Sequence, residues 1–119
     1  GHGEFRGGKG VVLDYRMCTD DFTVTGSFGR FKYPAWGMAG GRDGSPNHLD
    51  IIRADGTREV HGKVTGAKLA KGDVVRMVTA TGGGWGDPKA RPKAAIAEDL
   101  RNGFLTEEQA ERYYGGLPG

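Results

Sequence analysis

One cysteine, no long apolar run and almost no charge imbalance mark this sequence, and each shortage removes a class of explanation. A single thiol, Cys18, can close no internal disulfide and can build no cysteine-rich zinc site, which fits a reducing cytoplasm. The apolar runs are only a few residues long, and the first residues lack the charged and hydrophobic regions of a signal peptide, so a soluble cytoplasmic chain without membrane contact is expected. Seventeen basic residues against 15 acidic ones leave a net charge of +2, and they are scattered, which argues against nucleic acid as a partner. Leu, Ile, Val and Phe together number 22 of 119 residues. That share lies under the roughly 20% below which a chain struggles to fill a core. A folded chain with a thin core, gaining buried surface from a partner, is the expectation.

What the sequence has in abundance is glycine, 23 residues, among segments that alternate apolar and polar positions. Val11, Leu13, Tyr15 and Met17 share one side of a period-two pattern, which predicts a half-buried strand. Thr19-Asp20-Asp21 supplies turn chemistry before Phe22–Thr25 resumes the alternation, so these two segments are expected to form an antiparallel hairpin. Glycine and proline recur too often between residues 26 and 47 for a regular element, and this long loop is a candidate contact surface with Trp36 as its anchor. His48–Arg53 and Thr57–His61 flank Asp55-Gly56, the signal for a hairpin with a type I′ turn. Val74–Thr79 carries apolar residues on both faces and suits a position inside a sheet.

The period changes after Asp87-Pro88. Pro92 to Asn102 reads as one helix, with Ile96 and Leu100 a turn apart, and Thr106 with Gln109 forms a capping box for a second that ends near Tyr114-Gly115. The resulting class is α+β: a mainly antiparallel β sandwich or barrel-like unit with Gly-rich loops and a C-terminal helical hairpin. Residues 1–88 are expected to form the Gly-rich β domain, and 89–119 a helical hairpin packed on it or on a partner subunit.

Four segments together resemble the hydantoinase B/oxoprolinase family. Gly3-Glu4-Phe5-Arg6-Gly7-Gly8-Lys9-Gly10 is similar to an aromatic-Arg-Gly-Gly-x-Gly segment entering a strand. Pro34-Ala35-Trp36-Gly37-Met38-Ala39-Gly40-Gly41 resembles a Pro-x-Trp-Gly-x-x-Gly-Gly loop, and Gly82-Gly83-Gly84-Trp85-Gly86-Asp87-Pro88 a glycine run ending aromatic-Gly-Asp-Pro. Asp99 through Tyr114-Gly115 is similar to the family's closing helices. The resemblance implies a small subunit or C-terminal piece of a multisubunit ATP-dependent enzyme of the hydantoinase, oxoprolinase or acetone and acetophenone carboxylase group. Such enzymes phosphorylate a cyclic amide or a ketone enolate before hydrolysis or carboxylation. It also implies larger A-type and B-type partner subunits carrying ATP and a divalent metal, with no cofactor on this chain and an accessory role for it.

The candidate site residues are therefore interface or site-shaping ones: Arg6, Trp36, Gly83, Gly84 and Trp85. Arg6 could hold an anion, but a structural salt bridge is the stronger reading. The glycine run lacks the Lys-Ser/Thr of a P-loop, and its glycines suit tight backbone packing better than phosphate contact. His2, His48 and His61 have no metal-ligand spacing, and Cys18 has no histidine nearby in sequence, so a buried apolar thiol is expected there. The charged helix faces read as solvated surface. A self-sufficient small β module holding a ligand in its loops is the competing reading. No nucleophile and base constellation marks a stand-alone enzyme.

Overall fold

A computed structural model describes residues 1–117, and the chain in it divides into two compact units, each assembled from separated stretches of sequence. One unit takes residues 10–34 and 46–80, and holds all six strands; the other takes 1–9, 35–45 and the residues from 81 onward, and holds the helices. The class is α+β, as the residue pattern predicts, with two open antiparallel sheets and no closed barrel.

In the strand unit, β1 (Val12–Arg16), β2 (Phe22–Ser27), β3 (His48–Ile52), β4 (Arg58–His61), β5 (Lys63–Leu69) and β6 (Val74–Val78) form a four-stranded sheet in the order β1-β6-β3-β4 and a two-stranded sheet of β2 and β5. The β3–β4 hairpin forms as expected, but its turn differs. Gly56 N–H donates to the Arg53 carbonyl (2.9 Å) and Arg53 N–H to Thr57 (2.8 Å). Only Gly56, at φ 90°, is left-handed. This is a three-residue loop with a glycine bulge, whereas a type I′ turn needs positive φ at Asp55 too. β6 lies inside its sheet, between β1 and β3, which accounts for apolar residues on both its faces.

The expected β1–β2 hairpin does not form. β1 pairs with β6, Val12 opposite Val78 through Arg16 opposite Val74, while β2 pairs with β5 in the other sheet. The Asp20-Asp21 turn carries the chain between sheets: Asp21 takes φ 68° and the Asp20 carboxylate accepts Lys71 N–H (2.9 Å). β5 gave no readable pattern because a bulge breaks its alternation. Two residues, Thr65 and Gly66, oppose Thr25, whose hydroxyl accepts Gly66 N–H (2.9 Å), so Val64 and Leu69 reach one face from positions of opposite parity.

Leu49, Ile51 and Val75 from the larger sheet meet Leu69 from the smaller, with Val24, Val64, Ala67 and Met17 packed around them. Full burial of each such side chain is worth about 1.5–3 kcal/mol. β1 lies beyond this cover. Its residues are exposed throughout, Leu13 by 45% and Tyr15 by 52%, and the strand is therefore not half-buried as its pattern predicts. The smaller sheet has only two strands and does not reach it.

In the helical unit, α1 (Lys93–Arg101) and α2 (Glu107–Tyr114) follow a single 3-10 turn at Pro88–Ala90, capped by the Asp87 carboxylate on Lys89 N–H (2.9 Å). Both reciprocal bonds of the Thr106–Gln109 box are present, and Gly115 closes α2 at φ 77°. Ile96, Leu105, Ala110 and Tyr114 form the core of this unit.

Asp73, almost fully buried, ties the strand unit's turns together: it accepts N–H bonds from Ala70 and Ala54 (both 3.0 Å) and pairs with Arg53 (3.1 Å). The Ala70 N–H, then Ala54 N–H and the Arg53 guanidinium, hold its carboxyl below the ordinary aspartate value of 3.8. A depressed folded-state pKa stabilises fully above the unfolded value and is lost as pH falls through the folded one. Asp73→Asn is expected to lower stability by a constant amount above pH 3.8, with the gap from wild type closing at lower pH. Chemical denaturation over a pH series checks this, and a gap that persists unchanged into strong acid contradicts it.

Candidate functional site

The three glycine segments converge in the helical unit. Phe5 and Trp85 exchange backbone bonds (3.0 and 2.9 Å), and Gly82 N–H donates to the Gly8 carbonyl (3.0 Å). From the other side Gly84 N–H donates to Arg42 (2.9 Å), Met38 N–H to Gly84 (2.9 Å) and Gly86 N–H to Met38 (3.0 Å). Arg42 N–H then reaches the His2 carbonyl (2.7 Å), so each segment is bonded to both others. The ladder is irregular, and only isolated bridges, Phe5 with Trp85 and Met38 with Trp85, count as sheet pairing.

Glycine is required here by proximity more than by turn geometry. A Cβ on Gly83 would fall on the Trp36 carbonyl, one on Gly84 on the His2 carbonyl, one on Gly41 on Gly84, and one on Gly7 on Gly82. None of these four has positive φ. The glycines therefore let three backbones approach closer than any side chain permits. The sequence placed Gly83 and Gly84 among the site-shaping residues, and the structure puts them at the centre of this contact.

Arg6 leaves the same segment to meet α1. Its Nε donates to both oxygens of Asp99 (3.0 and 3.1 Å), Arg91 Nη2 donates to Asp99 Oδ2 (2.9 Å), and Arg91 Nη1 holds the Glu4 carbonyl (2.8 Å). The Arg6 guanidinium also stands 5.0 Å from the centre of the Phe104 ring. The structural salt bridge is thus present. Asp99 corrects the reading of the helix faces as wholly solvated: its side chain is buried, and two cations satisfy it. The signal was its spacing, since Asp99 lies three residues after the buried Ile96 and shares its face.

Outward from the glycine contact point the large side chains. Phe5, Met38 and Trp85 are 62%, 66% and 50% exposed, with the Phe5 and Trp85 rings 5.7 Å apart. Trp36 is 78% exposed. Phe5 and Met38 were absent from the residues singled out by sequence, although each lies in one of the same glycine-rich segments.

Other candidates are placed apart from this cluster. His2 stacks on Tyr113 (4.1 Å) and its Nδ1 lies 2.9 Å from the Tyr114 hydroxyl. His48 bonds the buried Asp50 (2.6 Å), and His61, opposite Leu49, lies on the other face of that sheet. Among the described residues no group of three His, Cys, Asp or Glu side chains could hold a metal ion. Cys18 is exposed and not buried, because it lies just past the end of β1, where the chain leaves the sheet. No described helix is long and apolar enough to cross a membrane.

The hydantoinase B/oxoprolinase family model matches residues 1–88, which contain the whole glycine contact. The chain belongs to the hydantoinase B/oxoprolinase family. It is 33% identical over 119 residues to the beta chain of the caprolactamase of Pseudomonas jessenii, covering 97% of this chain and 20% of that one. It is 31% identical over 116 residues to the B component of a putative D-/L-hydantoinase of Pseudomonas sp. (strain NS671), covering 95% and 19%. The crystal structure of ATP-dependent caprolactamase from Pseudomonas jessenii superposes with a TM-score of 0.78 at 29% identity, over 99% of this chain and 21% of that one. A nucleotide-free acetone carboxylase shares the fold over 67% of this chain and 15% of its own, with a TM-score of 0.54 at 19% identity. The chain thus spans about a fifth of the length of the curated relatives it matches.

Within the glycine contact, Gly83→Ala is expected to cost about 1–3 kcal/mol, the range for forcing atoms into a packed site. Gly29→Ala, where a Cβ meets nothing and φ is not positive, is expected to be neutral or stabilising by up to about 1 kcal/mol. Denaturant midpoints of the two variants check the contrast, and equal stabilities would refute the close-approach account.

Proposed function

We propose that the chain forms one region of a B-type component in a multisubunit ATP-dependent enzyme acting on a carbonyl, and that its part is to shape that component and its contacts. The observation that carries this reading is the family match together with the caprolactamase likeness over nearly the full chain. In the proposed reaction an A-type partner holds ATP with a divalent metal. It passes the terminal phosphoryl group to the oxygen of a cyclic amide, leaving ADP. Water then adds to the activated carbon, the C–N bond breaks with a proton passing to nitrogen so that the ring opens as an acyl phosphate, and a second water releases inorganic phosphate and the carboxylate. In the carboxylating branch the phosphorylated partners would be a ketone enolate and bicarbonate, and the new carbon–carbon bond would form between them with their phosphoryl groups released as inorganic phosphate.

The residues of this chain hold structure in that scheme. Arg6, Gly83 and Gly84 fix the three-backbone contact, and Trp36 and Trp85, with Phe5 and Met38, offer apolar surface. Exposed aromatic groups beside a small core suit an interface, where Trp and Arg carry much of the binding free energy. The uncovered β1 face in the strand unit offers more such surface.

Co-expression with A-type and B-type subunits, followed by size-exclusion chromatography and native mass spectrometry, tests this. The chain is expected to co-elute in fixed ratio, and Trp85→Ala to weaken the association by about tenfold or more. A chain that stays monomeric and cooperatively folded, with no affinity for those subunits, would sink the proposal. Assays with a lactam or hydantoin, and with a ketone plus bicarbonate, then assign the branch.

A further inference from the structure

The helical unit carries a cleft of about 690 Å³ that the glycine contact and the Asp99 ion cluster leave open on one side. Arg6, Lys9 and Arg42 line it. We infer that this cleft is an oxyanion site that takes a small phosphorylated molecule.

Its cations are only partly satisfied by the protein. Arg6 spends its Nε on Asp99, and its Nη1 and Nη2 bond nothing among the described residues. The Arg42 side chain makes no hydrogen bond or ion pair among them; its guanidinium rests 5.1 Å from the Tyr113 ring centre. Lys9 Nζ donates to a neutral acceptor, the Phe104 carbonyl. Two carboxylates oppose this charge. Asp99 is already shared by Arg6 and Arg91, and Asp43, on the cleft wall, accepts Gly37 N–H at 2.8 Å. The excess is positive.

Titration directions agree with the geometry. The Lys9 ammonium is lowered from its ordinary value of 10.5, first by burial and then by Arg6, with Asp99 working the other way. His2 is lowered from 6.5 by burial first, and then by the Gly1 terminal ammonium, Lys9 and Arg42 in that order. Positive groups crowd a partly desolvated space, where an anion would relieve their repulsion.

Size and arrangement select the ligand. Arg6 and Lys9 come from one segment and Arg42 from another, so charge approaches from separate directions, which suits a tetrahedral oxyanion better than a planar carboxylate. A water molecule occupies about 30 Å³ of liquid, so the cleft holds far more than one phosphate ion and has room for an organic body.

Titration of the chain with inorganic phosphate and with a small phosphate monoester, at ionic strength held constant with sodium chloride, tests the inference by backbone NMR. Saturable shifts confined to residues 6–9 and 41–45 are expected, with affinity reduced about tenfold in both Arg42→Ala and Lys9→Ala. Neither variant removes an ion pair seen in the fold, and thermal melts establish that both stay folded. Absence of a saturable response, or a response undiminished in both folded variants, overturns the site. A response to acetate or glutarate as strong as that to phosphate overturns the phosphate assignment and marks a carboxylate site instead. None of these outcomes bears on whether the chain joins larger subunits.

Discussion

Backbone packed directly on backbone is the constraint on which the helical unit depends. At Gly83, Gly84, Gly41 and Gly7 a single extra carbon would occupy the position of a carbonyl in a neighbouring segment. Among the described residues the buried apolar clusters lie elsewhere, and the cohesion of this centre comes from the hydrogen bonds that each of the three segments makes to the other two. Net, such bonds contribute about 0.5–1.5 kcal/mol each, so the arrangement holds only if many form together. The shortage of Leu, Ile, Val and Phe in the sequence follows from it: part of the interior needs no side chains at all.

The same packing decides what surrounds it. With glycine turned inward, Phe5, Met38 and Trp85 have only the outside to occupy, and they stand exposed. Arg6 is carried to α1, where it and Arg91 neutralise the buried Asp99. Burying a carboxylate costs several kcal/mol unless its partners are well placed, and removing one partner of such a set is far more damaging than never having had it. The ion cluster therefore locks the register of the glycine segment on the helix. It engages only the Nε of Arg6, a residue that also lines the cleft.

Features coded by adjacent residues were legible in the sequence. The capping box at Thr106 and Gln109, the residues that close both helices and the β3–β4 hairpin depend on residues a few positions apart, and the hairpin erred only in turn type, where Asp55 would have needed positive φ. Pairing over long separations was not legible. Asp20-Asp21 signals a reversal, yet nothing local says that the chain changes sheet there, and the Gly66 bulge hides β5 by shifting its parity. Asp99 was hidden differently: an acidic residue on a helix is ordinarily solvated, and its burial becomes tolerable only with Arg91 and with Arg6, 93 residues earlier, both paired to it. Gly83 and Gly84 could be picked from their cluster, but the backbones they meet, at Trp36 and at His2, came only with the fold.

Amide hydrogen exchange at Gly82, Gly84, Trp85 and Gly86 measures the central claim most directly, because these N–H groups belong to no helix or regular strand and are held only by the other two segments. Exchange of all four as slow as that of the α1 and α2 amides, and lost together on global unfolding, is the result predicted. Exchange at the rate of an open glycine loop would show that the three backbones do not form a cohesive centre, and the account built on them would fall.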